Sequence, residues 1–231
     1  MKKWFRTNYL SGQLLTYAYN VLISLDINSV LFTQQDNDTY PLWMLQDALK
    51  IRTDVTVINI DFLLIESYRK QIYERLKVPA LDLGNANVDE YHANWRKLLT
   101  HVLANYKSKN SVYLSMTVAD ELYKDFEKQL YPCSLAFKFS RTPFKTDGLN
   151  RRFYEETAML DYLQHNFSID KNQANVDYQN LNYLNCFQTV YKQYKSEKKY
   201  AKARKLKNLS LLLAKRIGKK EYVDWVEKEF K

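Results

Sequence analysis

Ser29-Val30-Leu31-Phe32-Thr33-Gln34-Gln35-Asp36-Asn37-Asp38-Thr39-Tyr40-Pro41-Leu42-Trp43 is the stretch whose reading decides the fold. Its first five residues are small, apolar or β-branched, as suits a short buried strand. A polar run from Gln34 to Thr39 follows, then Pro41 and a leucine series, Leu42, Leu45 and Leu49, at helical spacing. Asp38 or Thr39 as N-cap, with Pro41 in the first turn, predicts a helix start. Strand, polar turn and helix in that order open a β-α unit.

The pattern extends in both directions. Upstream, Leu10, Leu14, Ala18, Leu22 and Leu25 predict a helix over 9–25 with one buried stripe. Downstream, Val55 to Ile60 is a second strand, and Asp61 opens a helix to about Leu76. Pro79 and Gly84 mark a loop, and 88–106 reads as a helix with Tyr91, Trp95, Leu98, Leu99 and Val102 on one side. Ser111 to Met116 is a third strand, Thr117 or Asp120 caps a helix to about Leu130, and Ser134 to Phe139 is an alternating fourth strand, placed at a sheet edge. The expected fold is α/β, a mostly parallel, four-stranded, Rossmann-like sheet with helices on both faces, in a domain spanning 1–148. Right-handed crossovers put the strand-to-helix loops on one edge of that sheet, where ligands of open α/β sheets bind.

Beyond Gly148 no strand pattern follows. Residues 151–165 and 178–196 read as helices, and Lys198 onward, through Leu206, Leu209 and Leu213, reads as the second helix of a tetratricopeptide-like hairpin ended by Gly218. Residues 220–230 form a short last helix. A single hairpin is too little for a free solenoid, so the region 149–231 is expected to pack on the α/β domain.

Composition narrows the function classes. The chain of 231 residues is 46% hydrophobic and 26% charged, with only four Gly and four Pro, the usage of a folded chain poor in loops. No run of about 18 apolar residues is present to span a bilayer, and Trp4-Phe5 is followed by Arg6, Thr7 and Asn8 where a secretory signal would need an apolar core. Cys133 and Cys186 have no metal-ligand spacing and read as two buried thiols, with a disulfide as the alternative. The basicity is local. Residues 192–220 hold twelve Lys or Arg and one acid, Glu197, a net +11 within a chain of +9. Lys198, Lys199, Lys202, Arg204, Lys205, Lys207, Lys215 and Arg216 are the core of this surface, either a solvated helix face or a contact for nucleic acid or anionic lipid. The interleaved aromatics Tyr191, Tyr194, Tyr200, Tyr222 and Trp225 read as packing residues rather than a base-stacking platform.

Chemistry, if any, centres on Asp36, Asn37, Asp38 and Thr39. Two carboxylates one residue apart at a strand end are able to hold a divalent cation through oxygen, and Asp-x-Asp occurs in sugar-nucleotide-dependent glycosyltransferases. The competing reading makes Asp36 and Asn37 a turn and Asp38 a cap, and it is the favoured one. Asp61 and Thr117 lie on the same sheet edge, each with the same two readings. No glycine follows the first strand to cradle a phosphate, no Gly-x-Ser-x-Gly elbow exists, and His92, His101 and His165 neighbour no nucleophile motif. No catalytic residue is assigned.

The strings Asn28–Thr33, Asp36–Trp43 and Arg52–Asn59, with Val112–Val118 and the helical tail, resemble the soluble C-terminal region of a family of polytopic bacterial membrane proteins. That family was long catalogued as of unknown function and is related to protein O-mannosyltransferases. Members carry Phe-Thr-x-Gly-Asp-Asn-Asp-Thr-Phe-Pro-Leu-Trp, so Gln35 stands where the family has glycine. The resemblance implies a non-catalytic accessory or recognition module for a protein or glycan partner, on the extracytoplasmic side of a bacterial envelope assembly. The membrane portion, where such glycosyltransferases place their catalytic acid, is not in this sequence.

Overall fold

The structure is a computed structural model and describes residues 11–83, 90–165 and 172–231. The basic N-terminus at Lys2, Lys3 and Arg6, the loop glycine Gly84 and the first two residues of the expected helix at 88 lie outside the described residues.

Helix α1 (Gly12–Ser24) is capped by Ser11, whose hydroxyl accepts the Leu14 N–H. Strand β1 (Val30–Thr33) follows, then α2 (Asp36–Leu49) and β2 (Thr56–Asn59). A 3-10 turn (Asp61–Leu64) leads into α3 (Glu66–Leu76); α4 (Tyr91–Asn105) precedes β3 (Val112–Ser115). A short α5 (Asp120–Tyr123) and a 3-10 stretch (Lys124–Gln129) lead to β4 (Leu130–Cys133) and β5 (Ala136–Phe139).

The sheet has five strands in the order β2-β1-β3-β5-β4, with β1, β2 and β3 parallel and β5 antiparallel to both β3 and β4. This corrects the expected four-stranded, mostly parallel arrangement twice over. Leu130-Tyr131-Pro132-Cys133 is a strand rather than a helix end, since Pro132 is tolerated on an outermost strand that needs no ladder donor there. The alternating strand β5 is not at the edge; β4 covers it through a two-residue turn in which Ser134 takes φ 57°.

Period-two alternation along β1 divides the interior into two cores. Val30 and Phe32 face α3 and α4 in a core with Ile58, Leu114, Ile72, Leu98 and Leu99. Leu31 faces the other way, with Val57, Tyr113, α1 and α2. Leu42 and Leu45 of α2 are buried as expected, but Leu49 is exposed, because Lys50 ends the helix in a left-handed conformation at that point.

The second core continues without interruption into the C-terminal helices. These are α6 (Asp147–Arg152), a π turn (Phe153–Thr157), α7 (Asp161–Gln164), α8 (Gln173–Asn180), α9 (Tyr183–Ser196), α10 (Tyr200–Arg216) and α11 (Lys220–Glu229). Helices α9 and α10 form the expected hairpin, and Gly218 ends α10 with φ 73°, a conformation that glycine adopts without cost. Phe187, Val190, Leu206 and Leu213 share one buried cluster with Tyr17 and Leu22 of α1. No helix among the described residues is long and apolar enough to cross a membrane.

A buried polar joint ties α1 to these helices. Asn20, fully buried, donates through Nδ2 to the Met159 carbonyl at 2.8 Å and to Tyr183 Oη at 2.7 Å, and its Oδ1 accepts the Met159 N–H at 2.8 Å. Tyr162 extends the chain, donating to Asn180 Oδ1 and meeting Tyr183 Oη. Asn20→Ala leaves the Met159 N–H and carbonyl without their partner and takes one of two partners from the Tyr183 hydroxyl, so urea denaturation should show a loss of about 2–4 kcal/mol. An unchanged midpoint would contradict the joint.

Candidate functional site

The strand order places β1 between β2 and β3, with connections leaving in opposite directions, so a crevice opens at the carboxyl ends of β1 and β3. The residue that organises this crevice is Gln34. Its Oε1 accepts the Ala119 N–H at 2.9 Å, and its Nε2 donates to Asp61 Oδ1 at 3.2 Å. Its own backbone N–H donates to Asp38 Oδ2 at 3.1 Å. One buried amide thus pins together the loops that follow β1, β2 and β3.

Gln35, the next residue, holds φ 64° and ψ 170°, a region that glycine occupies almost alone. It is kept there from both sides. Its N–H donates to Asp61 Oδ2 at 3.0 Å, and its carbonyl accepts the Thr39 N–H at 3.2 Å and the Thr39 hydroxyl at 2.8 Å. The glycine-requiring turn of the resembled motif is therefore present here with a side chain on it.

The sequence-derived candidates fall into different roles. Asp38 is buried; its Oδ1 accepts the Ser115 hydroxyl at 2.8 Å, and Ser115 in turn meets Thr117 Oγ1 at 3.0 Å. Asp61 is consumed by Gln34 and Gln35. Asp36 is exposed and interacts with Tyr40. Thr39 is fully buried and bridges β1 and β2, contacting Thr33 Oγ1 at 2.8 Å and accepting from Asn59 Nδ2 at 2.9 Å. Neither Asp38 nor Thr39 is the N-cap of α2. The helix starts at Asp36 with Gln35 as the cap position and no side-chain cap, because Gln35's backbone already turns the chain. Ala119, not Thr117 or Asp120, precedes α5.

Asp38 and Asp61 are both engaged by Gln34, Asp36 interacts with Tyr40, and among the described residues no three His, Cys, Asp or Glu are grouped to hold a metal. The oxygen shell of roughly six to eight ligands that a calcium ion takes is not assembled by these carboxylates.

The crevice itself is a cleft of about 210 Å³, lined by Gln34, Asn37, Asp38 and Thr117 below and by Tyr178 and Gln179 of α8 above. Gln179 is the residue that sequence patterning missed. Pro41 has no N–H to offer the Asn37 carbonyl one turn earlier in α2. Gln179 Nε2 takes that acceptor instead, at 3.3 Å. Its Oε1 is buried and has no hydrogen-bond partner among the described residues. Gln34 and Gln179 carried no motif signal; only the lack of a donor at Pro41 hinted that α2 needed an outside partner.

The basic residues belong to another part of the molecule and none lines the cleft. Lys198 sits in the α9–α10 turn with φ 59°, and Lys199 and Lys202 pair with Glu197 and Glu155. Arg204, Lys205 and Lys215 are exposed, while Lys207 and Arg216 are half-buried. The thiols of Cys133 and Cys186 are free and buried, and burial pushes that of Cys133 up to about 11.

Burial is also what governs Asp38, pushing its carboxyl up to about 6 against the opposing pull of the Thr117, Ser115 and Gln34 donors, with a smaller upward push from Asp61. The folded protein keeps this proton to higher pH than the unfolded chain does, so the native state binds more protons between about pH 4 and 6 and loses stability as pH rises through that window. Asp38→Asn removes the titration. Between about pH 4 and pH 7, urea denaturation should show the stability of wild type falling relative to the variant by on the order of 2 kcal/mol. A second substitution probes the turn. Gln35→Gly relieves a strain of about 1–3 kcal/mol and gives back roughly 1 kcal/mol in unfolded-chain entropy, so it should stabilise modestly, whereas Gln35→Ala should not.

Comparison with known proteins places this geometry. The family model for TMEM260-associated domain 2, a domain named for a membrane-protein family, matches residues 15–120. No curated protein matches the chain, and no solved structure does. The matched span takes in α1 from Leu15 onward, all three parallel strands, and Gln34, Asp38, Asp61 and Thr117; it stops before β4, β5 and Gln179. Over that span the chain is similar to a domain associated with a membrane protein.

Proposed function

We propose that this chain is a non-catalytic recognition module whose cleft at the carboxyl end of the sheet receives a polar group of a glycan or protein partner. What supports this reading is the polar lining that gathers at the carboxyl end of the sheet, where an open α/β sheet offers a ligand its place: Gln34, Asn37, Asp38 and Thr117 face Gln179 of α8, whose Oε1 is buried without a hydrogen-bond partner among the described residues.

The lining favours the glycan form. Amides from Asn37 and Gln179 and the Thr117 hydroxyl are of the kind that both donate to and accept from neutral hydroxyls, and the Asp38 carboxylate accepts from them. Tyr178 is 43% exposed at the rim, with Lys219 Nζ 5.5 Å from its ring centroid. The volume falls below the roughly 300–1,000 Å³ of sites for drug-sized ligands, which suits a single sugar residue of a longer chain. An anionic ligand fits poorly beside Asp36 and Asp38 in the first turn of α2.

Similarity to TMEM260-associated domain 2 supports service beside a membrane-protein partner. A bacterial envelope setting, kinship to protein O-mannosyltransferases and a tetratricopeptide-like role for α9 and α10 rest on motif resemblance. Titration of the whole chain with a panel of neutral methyl glycosides and of uncharged peptides, read by calorimetry and ligand-detected NMR, tests the proposal. Saturable binding to a glycoside, weakened about tenfold by Gln179→Leu, is expected. Silence across both panels, or binding indifferent to Gln179→Leu, would sink it.

A further inference from the structure

Ser115, the last residue of β3, is fully buried and stands behind the cleft lining. Its Oγ lies between two oxygens of residues that do line the cleft. Asp38 Oδ1 is 2.8 Å away and Thr117 Oγ1 is 3.0 Å away. The Thr117 N–H donates weakly to the same Ser115 oxygen, at 3.4 Å. A serine hydroxyl has one proton, and burial keeps water from this one, so the proton goes to the carboxyl or to the threonine. The other carboxyl oxygen, Asp38 Oδ2, accepts the Gln34 N–H at 3.1 Å, a donor that never reverses.

Two arrangements satisfy these constraints. While Asp38 is ionised it only accepts, so Ser115 donates to it. Ser115 Oγ then accepts from Thr117, whose hydroxyl also acts directly on the Asp38 charge. By either route the Thr117 proton is held inward, and the cleft meets the lone pairs of its oxygen. Once Asp38 is protonated, Gln34 still occupies Oδ2, so the proton sits on Oδ1 and is donated to Ser115. Ser115 then donates to Thr117, and the Thr117 proton turns to the cleft.

The groups facing Asp38 set where the change falls. Burial disfavours its charge and Asp61 after β2 adds to that, while the Thr117, Ser115 and Gln34 donors oppose both, with the balance at about pH 6. On α1, Tyr17 feels the Asp38 charge, and its hydroxyl accepts from Asn182 at 2.9 Å. The α8 residues over the cleft, Asn175, Tyr178 and Gln179, are two amides and a phenol. Asp177 of α8 accepts from Gln173, Lys219 lies over the Tyr178 ring, and Asp36 in the same turn as Asp38 interacts with Tyr40.

Resting on the cleft as a ligand site, we propose that Asp38 and Ser115 set the hydrogen-bonding sense of Thr117, which accepts from a ligand while Asp38 is ionised and donates to one when Asp38 is protonated. Thr117 is then the residue that selects between ligand groups, an N–H in the first state and an ether or carbonyl oxygen in the second.

Two measurements on the whole chain test this. The first needs no ligand. NMR follows the Asp38 carboxyl carbon between about pH 4 and pH 8, and Thr117→Val and Ser115→Ala should each raise its midpoint by about one unit. The second uses dimethyl sulfoxide, a neutral acceptor without a donor, read by the Thr117 amide shift. Its half-saturating concentration should be about fivefold lower at about pH 5 than at about pH 7.5. In Asp38→Asn the Gln34 N–H keeps the amide oxygen on its side, so the amide donates to Ser115 at every pH and the tighter value should hold at both. Thr117→Val should remove the pH dependence. Circular dichroism melts confirm that the variants fold. An unmoved midpoint in Thr117→Val, or dimethyl sulfoxide contact that is absent or equal at the two pH values, overturns the proposal. Silence of the glycoside and peptide panels with both results in place removes the recognition reading and leaves the switch; panel binding with an unmoved midpoint removes the switch alone.

Discussion

The turn at Gln34-Gln35 is the constraint on which the rest of the site depends. A buried parallel strand must hand over to a helix within two residues, and the backbone accomplishes this only by passing through a conformation normally reserved for glycine. Two carboxylates hold the turn, Asp61 on the Gln34 side chain and the Gln35 N–H, and Asp38 on the Gln34 N–H. The acidic residues that look like ligands in the sequence are thus largely committed to the fold. Asp38 alone also reaches the cleft, and its raised pKa follows from burial that the turn enforces.

The same turn explains why the loops of three strands act as one piece. Gln34 spans from Asp61 after β2 to Ala119 after β3, so displacing either loop breaks a hydrogen bond in a buried setting where water offers no replacement. The cleft floor is consequently preorganised, which lowers the ordering cost that any ligand must offset.

Much of this architecture was legible in the sequence. The continuous apolar runs gave β1, β2 and β3, and leucine spacing gave α1, α2 and the α9–α10 hairpin, because period and burial coincide there. The β4–β5 hairpin was not legible as such: a helix was expected up to about Leu130, and Pro132, which disfavours a strand in general, is acceptable in β4 because that strand has no neighbour on its outer side. The helix caps were misassigned for a related reason. Asp38, Thr39 and Thr117 are all capable caps, but Asp38 and Thr39 are drawn instead into hydrogen bonds with strand residues, Ser115 lying 77 positions from Asp38, and Thr117 meets Ser115 at the end of the strand it follows. The edge where the strand-to-helix loops gather follows from strand direction alone, and the cleft lies on it. Its roof was invisible, as no periodicity links residue 179 to residue 37.

That roof follows from a proline. Pro41 lies inside α2 and leaves the carbonyl of half-buried Asn37 without its helical donor. Gln179 supplies the donor from 142 positions away and so takes its place in the cleft lining, its own Oε1 buried without a partner among the described residues. The requirement that joins the C-terminal helices to the sheet at this point is therefore the same one that sets Gln179 at the cleft. The span similar to TMEM260-associated domain 2 contains Pro41 and Asn37 but not Gln179. Residues 15–120 can thus build the floor and create the demand for a donor, while α8, outside that span, decides how it is met and what polar face a ligand encounters.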